Sequence, residues 1–293
     1  MLKICARIWL ARFLCYNDGM TKSEFRKVLV SFTDSVGERI SDNDGQWTIK
    51  GFVDVCRNIY TISADTKVIS KILEIHMFPH LLDMAKNHGF SLVLPQHQNY
   101  YPDASFVLKK NPKVRYALDF KTTYRSSEKP WMCNGFTLGS HGKYFRDRNS
   151  GKNIQFPYAS YAGHFCLGII YDRADESRMD ESKVHSITDI NSIASVISNI
   201  QLFVAEKWKI AGDKRGSGNT ANIGSIKRIA DILGEKGMFS RLGEEWFDDY
   251  WMNYGKITVQ DGAGNSASIK SLHEFVKYRK GDVSKIVPRE TKQ

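Results

Sequence analysis

No stretch of these 293 residues approaches the ~20 apolar positions that a membrane-spanning helix requires, which excludes an integral membrane helix and predicts a soluble protein with no membrane partner. Cysteine is sparse. Cys5, Cys15, Cys56, Cys133 and Cys166 are odd in number, scattered and without a C-x-x-C pair, so a disulfide framework, a zinc ribbon and a redox pair are all excluded in favour of ordinary thiols in a reducing cytoplasm. There is no G-x-x-x-x-G-K-[ST] loop, which argues against a nucleotide cofactor. His76 and His80 stand four apart, a spacing that can hold zinc, but Pro79 intervenes and no H-E-x-x-H is present. Internal repeats and low-complexity linkers are also missing. Lys3, Arg7 and Arg12 break the apolar run at the start, and no A-x-A-like cleavage site follows, so residues 1–19 are read as an uncertain extension ahead of the fresh amphipathic pattern that opens at Met20.

What is present is a chain 42% hydrophobic and 12% aromatic, enough to bury a sizeable core. Its 42 Lys and Arg against 32 Asp and Glu leave a net charge of +10, which favours a polyanionic partner. Phe25, Val28, Leu29, Phe32 and Val36 recur at helical spacing. The segment QWTIKGFVDVCRNIYTI is read as a short strand and a helix. A second, long helix starts at a cap on Asp65 or Ser63, is expected to kink at Pro79 and stops at Gly89. Strands are expected at 90–94, 104–108 and 114–124, the last two joined by a turn at Asn111 and Pro112. Beyond them come a polar loop, an apolar strand FCLGIIY, a helix-like SIASVISNIQLFVAEKW, the loop AGDKRGSGNTANIGS and a helix with Trp246, Phe247, Tyr250, Trp251 and Tyr254 on one face. That face reads as core. The basic tail KYRKGDVSKIVPRETKQ carries six basic and two acidic residues and suits either phosphates or bulk solvent. The pattern is that of an α/β protein with a mixed central sheet flanked by helices.

Alternation along VRYALDFKTTY places Arg115, Ala117, Asp119, Lys121 and Thr123 on one side and Tyr116, Leu118 and Phe120 on the other. A turn near Asn111 makes positions summing to about 222 face each other, which brings Asp103 to within about a residue of Asp119. Two carboxylates and an ammonium then share one patch. Carboxylates that close are costly unless a cation sits between them, and a hard ion such as Mg²⁺ fits two carboxylates, water and a phosphate oxygen. The same D-x-K is also what an exposed hairpin with an ion pair looks like. GSGNTAN, residues 216–222, can bring backbone amides, Asn219 and Thr220 to base edges, or can be a plain turn. In PQHQNYYPD the amides Gln96, Gln98 and Asn99 stand just ahead of Asp103, as groove contacts or as a polar surface loop.

Taken together, SADTKVISKILEIHMFPHLLDMAKNHGF, PQHQNYYPD, ALDFKTTY, FTLGS, KWKIAGDKRGSGNTANIGSI and EEWFDDYWMNYGK, collinear from Ser63 to Lys256, resemble the EcoRV-like type II restriction endonucleases of the PD-(D/E)XK superfamily. The resemblance implies Mg²⁺-dependent hydrolysis of double-stranded DNA by a prokaryotic homodimer at a short palindrome, GATATC, with a central blunt cut leaving 5′-phosphates. It implies that Asp103, Asp119 and Lys121 are catalytic with Glu74 as an additional acid, and that Asp103, Asp119 and Glu74 bind the metal. By the same matching, Gly216, Ser217, Gly218, Asn219, Thr220 and Asn222 read the major groove, and Gln98 and Asn99 the minor groove. Thr66, Lys67, Thr122, Thr123, Tyr124 and Lys152 contact the DNA backbone. The implied organisation is an N-terminal helix and dimerisation region at 20–62, a catalytic core at 63–190, and a recognition loop with C-terminal helices at 191–293. Against the family pattern, His97 and Tyr100 replace polar residues, Ala221 replaces a threonine, and the loop before Lys152 is longer. A repair or recombination nuclease and a non-cleaving DNA-binding protein are the alternative functions.

Overall fold

The computed structural model describes residues 19–174, 180–216, 221–260 and 266–288, which leaves most of the N-terminal extension and four recognition-loop positions, Ser217, Gly218, Asn219 and Thr220, outside the described residues. Helix α1 (Lys22–Ile40) opens with a capping box in which the Thr21 side chain accepts from Glu24 N–H and the Glu24 carboxylate accepts from Thr21 N–H. Its buried stripe is Phe25, Leu29, Phe32, Val36 and Ile40.

The segment read as strand plus helix is instead an antiparallel hairpin, β1 (Gly51–Val53) and β2 (Asn58–Thr61). Asp54 decides this, since its Oδ1 accepts from both Cys56 N–H and Asn58 N–H and folds the chain into a turn instead of a helix. Helix α2 (Thr66–Asn87) starts where the Asp65 carboxylate accepts from Lys67 and Val68 N–H, runs through Pro79, and gives way at Gly89, whose φ of +75° lies in the left-handed region that favours glycine.

The central sheet follows. β3 (Phe90–Val93), β4 (Ala104–Leu108) and β5 (Arg115–Tyr124) are antiparallel neighbours. After β6 (Thr137–Ser140), β7 (Gly163–Arg173) returns parallel to β5. A short β8 (Val184–Ser186) joins β2, and β9 (Ile197–Glu206) closes the central sheet antiparallel to β7, giving the order β3-β4-β5-β7-β9. β9 corrects the helical reading of SIASVISNIQLFVAEKW. Its apolar residues serve both faces in alternation, Ile200, Leu202 and Val204 towards the α1–α2 side and Phe203 and Ala205 towards the other, a period of two that spaced apolar residues can disguise as helical. Gly168 of β7 makes this possible, because a Cβ there would meet the Phe203 ring at 2.0 Å.

β10 (Ala211–Arg215) and β11 (Asn222–Ser225) form a hairpin that pairs with β6 in a separate sheet. The C-terminal helices α3 (Glu244–Asn253) and α4 (Leu272–Tyr278) bury Phe247, Tyr250, Trp251, Phe275 and Val276 against the second face of the central sheet, so the aromatic stripe is core as expected. The basic tail is packed rather than loose up to residue 288: Val283 and Ile286 rest on this core and Val287 N–H donates to Met238 O.

Phe25 is fully buried and stacks on Tyr116 at 4.2 Å, with Phe106 at 5.1 Å and the edges of Phe90 and Phe165 at 5.2 and 5.5 Å. We expect Phe25→Ala to lower unfolding free energy by about 3–5 kcal/mol in urea titrations, through lost burial and the cavity left behind; a loss near zero would show that α1 does not hold the outer face of the sheet.

Candidate active site

The β4–β5 register pairs Ala104 with Leu118, positions summing to 222, and so sets Asp103, at the mouth of β4, opposite Asp119. Asp103 follows the cis Tyr101–Pro102 bond, and its Oδ2 accepts from Phe120 N–H at 2.7 Å. Along β5 the expected alternation holds, with Tyr116, Leu118 and Phe120 facing the α1–α2 side and Ala117 the other. Asp119 is 5% exposed. Its Oδ2 lies 2.6 Å from Lys121 Nζ but off the hydrogen-bonding direction, so that oxygen keeps unused acceptor capacity, while Lys121 Nζ donates to Phe120 O at 3.1 Å.

Burial and the neighbouring Asp119 charge push the Asp103 carboxyl up to about 7, so near neutral pH it retains a proton for much of the time. Burial works against the Lys121 ammonium as well, yet the Asp119 and Asp103 carboxylates outweigh it and hold this lysine charged beyond its ordinary range. The donor chemistry fits a hard divalent cation: a buried carboxylate oxygen that, among the described residues, has no hydrogen-bond partner and only the Lys121 ammonium against it, beside a second carboxylate that carries a proton for want of positive charge. Among the described residues no three Asp, Glu, His or Cys side chains gather into a complete cage. A cation at Asp103 and Asp119 would therefore take its remaining ligands from water or from substrate oxygens.

Asp103 faces a cleft of about 590 Å³, and Glu74, Gln98, Thr66, Lys67, Thr122, Thr123 and Tyr124 all line it. The structure thus assembles helix α2, the β5 end and the loop ahead of Asp103 around one space. Glu74 enters from α2, but its Oε1 accepts from Lys71 Nζ at 2.8 Å and it is not drawn into the Asp103–Asp119 pair. Ser70 and Thr122 hydroxyls contact each other across the α2–β5 junction. Asn99 is exposed on the same loop as Gln98, where the His97 and Tyr100 rings pack at 4.8 Å. Lys152 is exposed and does not line the cleft. Gly216 N–H donates to Asn222 O at 2.9 Å, closing the stem of the β10–β11 hairpin, and Asn222 pairs with Ser140 of β6. The hairpin tip, with Ser217, Gly218, Asn219 and Thr220, lies outside the described residues. His76 accepts from the Trp47 indole at 3.4 Å, and no metal cluster forms with His80 among the described residues.

One charged residue near this site escaped the reading of the sequence. Lys207, just after β9, is 2% exposed and its Nζ has no hydrogen-bond partner among the described residues. The ammonium lies 5.0, 5.4 and 5.6 Å from the Tyr101, Phe145 and Tyr158 ring centres, a cage of aromatic faces. Burial presses its pKa down to about 8, with the Asp119 carboxylate opposing the fall. Nothing in KWKI distinguishes Lys207, turned inward, from Lys209, which pairs with Glu206 at 2.8 Å.

A mixed five-stranded sheet with helices on both faces, carrying two carboxylates and a lysine where the start of β4 meets the middle of β5, is the architecture of the restriction-endonuclease-like fold. The comparison with known families narrows this. The model of the family described as restriction endonuclease EcoRV matches residues 43–280. The type II restriction enzyme EcoRV of Escherichia coli is 36% identical over 218 residues, covering 74% of this chain and 86% of that enzyme. The chain belongs to the EcoRV restriction endonuclease family and is a type II site-specific deoxyribonuclease. Such nucleases depend on a divalent metal and act on DNA. Among the described residues no helix is long and apolar enough to cross a membrane.

The Lys207 environment predicts a pH signature. Its folded pKa of about 8 lies below the ordinary 10.5, so between these values the unfolded chain binds the proton more strongly and folded-state stability rises with pH. Relative to Lys207→Met, the wild type should gain roughly 2–3 kcal/mol of unfolding free energy as pH climbs through that window. Urea titrations at several pH values measure it; a constant difference would mean that the ammonium is not desolvated.

Proposed function

We propose that this protein is a Mg²⁺-dependent homodimeric restriction endonuclease that cuts GATATC at its centre and leaves blunt 5′-phosphate ends. The observation that carries the reading is the opposition of Asp103 and Asp119, with Lys121 beside them, next to a cleft rimmed by hydroxyls and lysines. In this reading Asp103 and Asp119 hold the cation and Glu74 assists from α2. When bound, Mg²⁺ supplies Lewis-acid stabilisation of the charge that develops on the phosphate and the leaving 3′-oxygen. Lys121, held as the ammonium, donates to and orients the attacking water and steadies the pentavalent phosphorane.

Thr66, Lys67, Thr122, Thr123, Tyr124 and Lys152 fix the duplex by its phosphates, Gln98 and Asn99 approach the minor groove, and Gly216 to Thr220 with Asn222 read the major groove. Homodimerisation gains support from the apolar side chains exposed on the β1–β2–β8 sheet: Phe52 at 55%, Val53 at 56% and Tyr60 at 46%. A two-fold dimer matches a palindrome and gives one active site per strand, hence a double-strand break. The cytoplasm, where a bacterial restriction enzyme meets DNA, is the proposed compartment.

Incubation of purified protein with a plasmid of known sequence in Mg²⁺, followed by end-sequencing, tests the reading. Discrete blunt fragments ending in GAT and beginning with ATC are expected. Asp119→Ala should abolish them while binding of the same duplex in Ca²⁺ persists, because the substitution removes a cation ligand and not a base contact. Discrete cuts elsewhere would overturn the assigned site, and equal loss of cutting and binding in the variant would overturn the role of Asp119.

The same geometry makes cation binding a proton-releasing event. Below about 7 Asp103 is protonated and the cation must expel that proton, so affinity should rise with pH up to that value and level off above it. Calorimetry with Mg²⁺ alone, in two buffers of different ionisation heat, should detect release one unit below that pH and almost none one unit above it. Equal release at both would exclude Asp103 as the displaced acid.

A further inference from the structure

Next to the catalytic cleft lies a second cavity, of about 620 Å³, that shares Asn134 and Gly135 with it. Its walls carry five exposed cationic side chains, Lys214 and Arg215 on the stem of the β10–β11 hairpin, Lys227 and Arg228 just beyond β11, and Lys236. The acidic residue among its lining is Asp231, 3.9 Å from Arg228. The Lys227 stem lies along the wall shared by the two cavities, where a Cβ built on Gly135 would be 3.4 Å from both its Cγ and its Cε. Lys214 Nζ donates to Lys270 O at 3.3 Å, and the Arg215 guanidinium stands over the Tyr254 ring at 5.3 Å, so two of the five cations are held by neutral groups and not by carboxylates.

Like charges brought together around a concave surface raise its potential and concentrate anions there. Two features choose among polyanions: continuity with the cleft through Asn134 and Gly135, and the position of the trough at the foot of the hairpin proposed to enter the major groove. A duplex lying in the cleft with the β10–β11 hairpin in its major groove would pass this trough. We infer that it binds the sugar–phosphate backbone of DNA outside the recognised bases, adding affinity that is independent of sequence. This rests on the reading of the cleft as the DNA-cutting site, and it extends the footprint beyond the residues assigned to the site itself.

The test compares binding in Ca²⁺, by fluorescence anisotropy of the full chain, to two duplexes centred on GATATC, one about one helical turn long and one extended by about a turn at each end. The wild type should bind the longer duplex at least about tenfold more tightly, with a steeper dependence on salt. In Lys214→Ala/Lys227→Ala/Lys236→Ala the salt slope on the longer duplex should fall by about 0.9 per lost phosphate contact, and the advantage of length should disappear. Lys109→Ala/Lys110→Ala/Lys113→Ala removes the same charge from exposed positions at the opposite end of the β4–β5 hairpin and should keep both. Unchanged melting temperatures exclude unfolding as the cause.

A trough variant that keeps the length advantage overturns the inference, as does an equal loss in the control variant, which would reflect net charge alone. A wild type that cleaves the short duplex yet gains nothing from length overturns the trough and leaves the cleavage reading standing. A wild type that neither binds nor cleaves either duplex overturns both.

Discussion

Repulsion between two carboxylates kept side by side out of water is the interaction on which the rest of this structure depends. At about 4–5 Å and an effective dielectric of about 20, two like charges oppose each other by roughly 3–4 kcal/mol. Three features answer that cost. Phe120 N–H donates to Asp103, Lys121 stands against Asp119, and Asp103 keeps its proton up to about 7. The remaining deficit of positive charge is what makes the place attractive to a cation, and a well-satisfied ion pair would not have that property.

Holding the carboxylates in register needs both faces of the sheet to be committed. Tyr116 and Leu118 are locked by the α1–α2 cluster, and Ala117 by the aromatic core under α3. A slip of one residue in β5 would drive Asp119 into the Phe25 side and bring Leu118 to the charged side, so the hydrophobic pattern fixes the position of the charges. The outer helix is in turn fastened across the molecule, where Lys22 meets Glu206 and Glu244, and Arg26 meets Glu235 at 2.8 Å. Through such ties the N-terminal helix, the last strand of the sheet and the C-terminal helix share one mechanical frame.

Much of this was legible in the chain because it rests on short-range rules. The turn at Asn111 and the two-residue period of VRYALDFKTTY were enough to bring Asp103 opposite Asp119, apolar spacing was enough to find α1, and a cap at Asp65 or Ser63 placed the start of α2. Other features depend on partners far along the chain. The segment SIASVISNIQLFVAEKW reads as helical until the two core clusters supply the surfaces between which β9 lies, paired edge to edge with β7. The hairpin at 51–61 turns on Asp54 accepting two backbone N–H groups, which composition does not announce. Lys207 is set by three rings contributed from residues 101, 145 and 158, so nothing local marks it as buried. Glu74 is a different case: the resemblance alone put it near the metal site, and in the structure it pairs with its i,i+3 neighbour Lys71.

The lysine in its aromatic cage has one more consequence, in temperature. Hydration of an ion carries a strongly negative entropy, so the advantage of keeping a charge in water shrinks as the solution warms. The cost of enclosing Lys207, Asp103 and Asp119 is therefore greatest in the cold and declines with heating, while the ring contacts of Lys207 and the Lys121–Asp119 pair persist. The charged centre weighs on the fold least near the upper end of the protein's thermal range, where packing alone is losing ground.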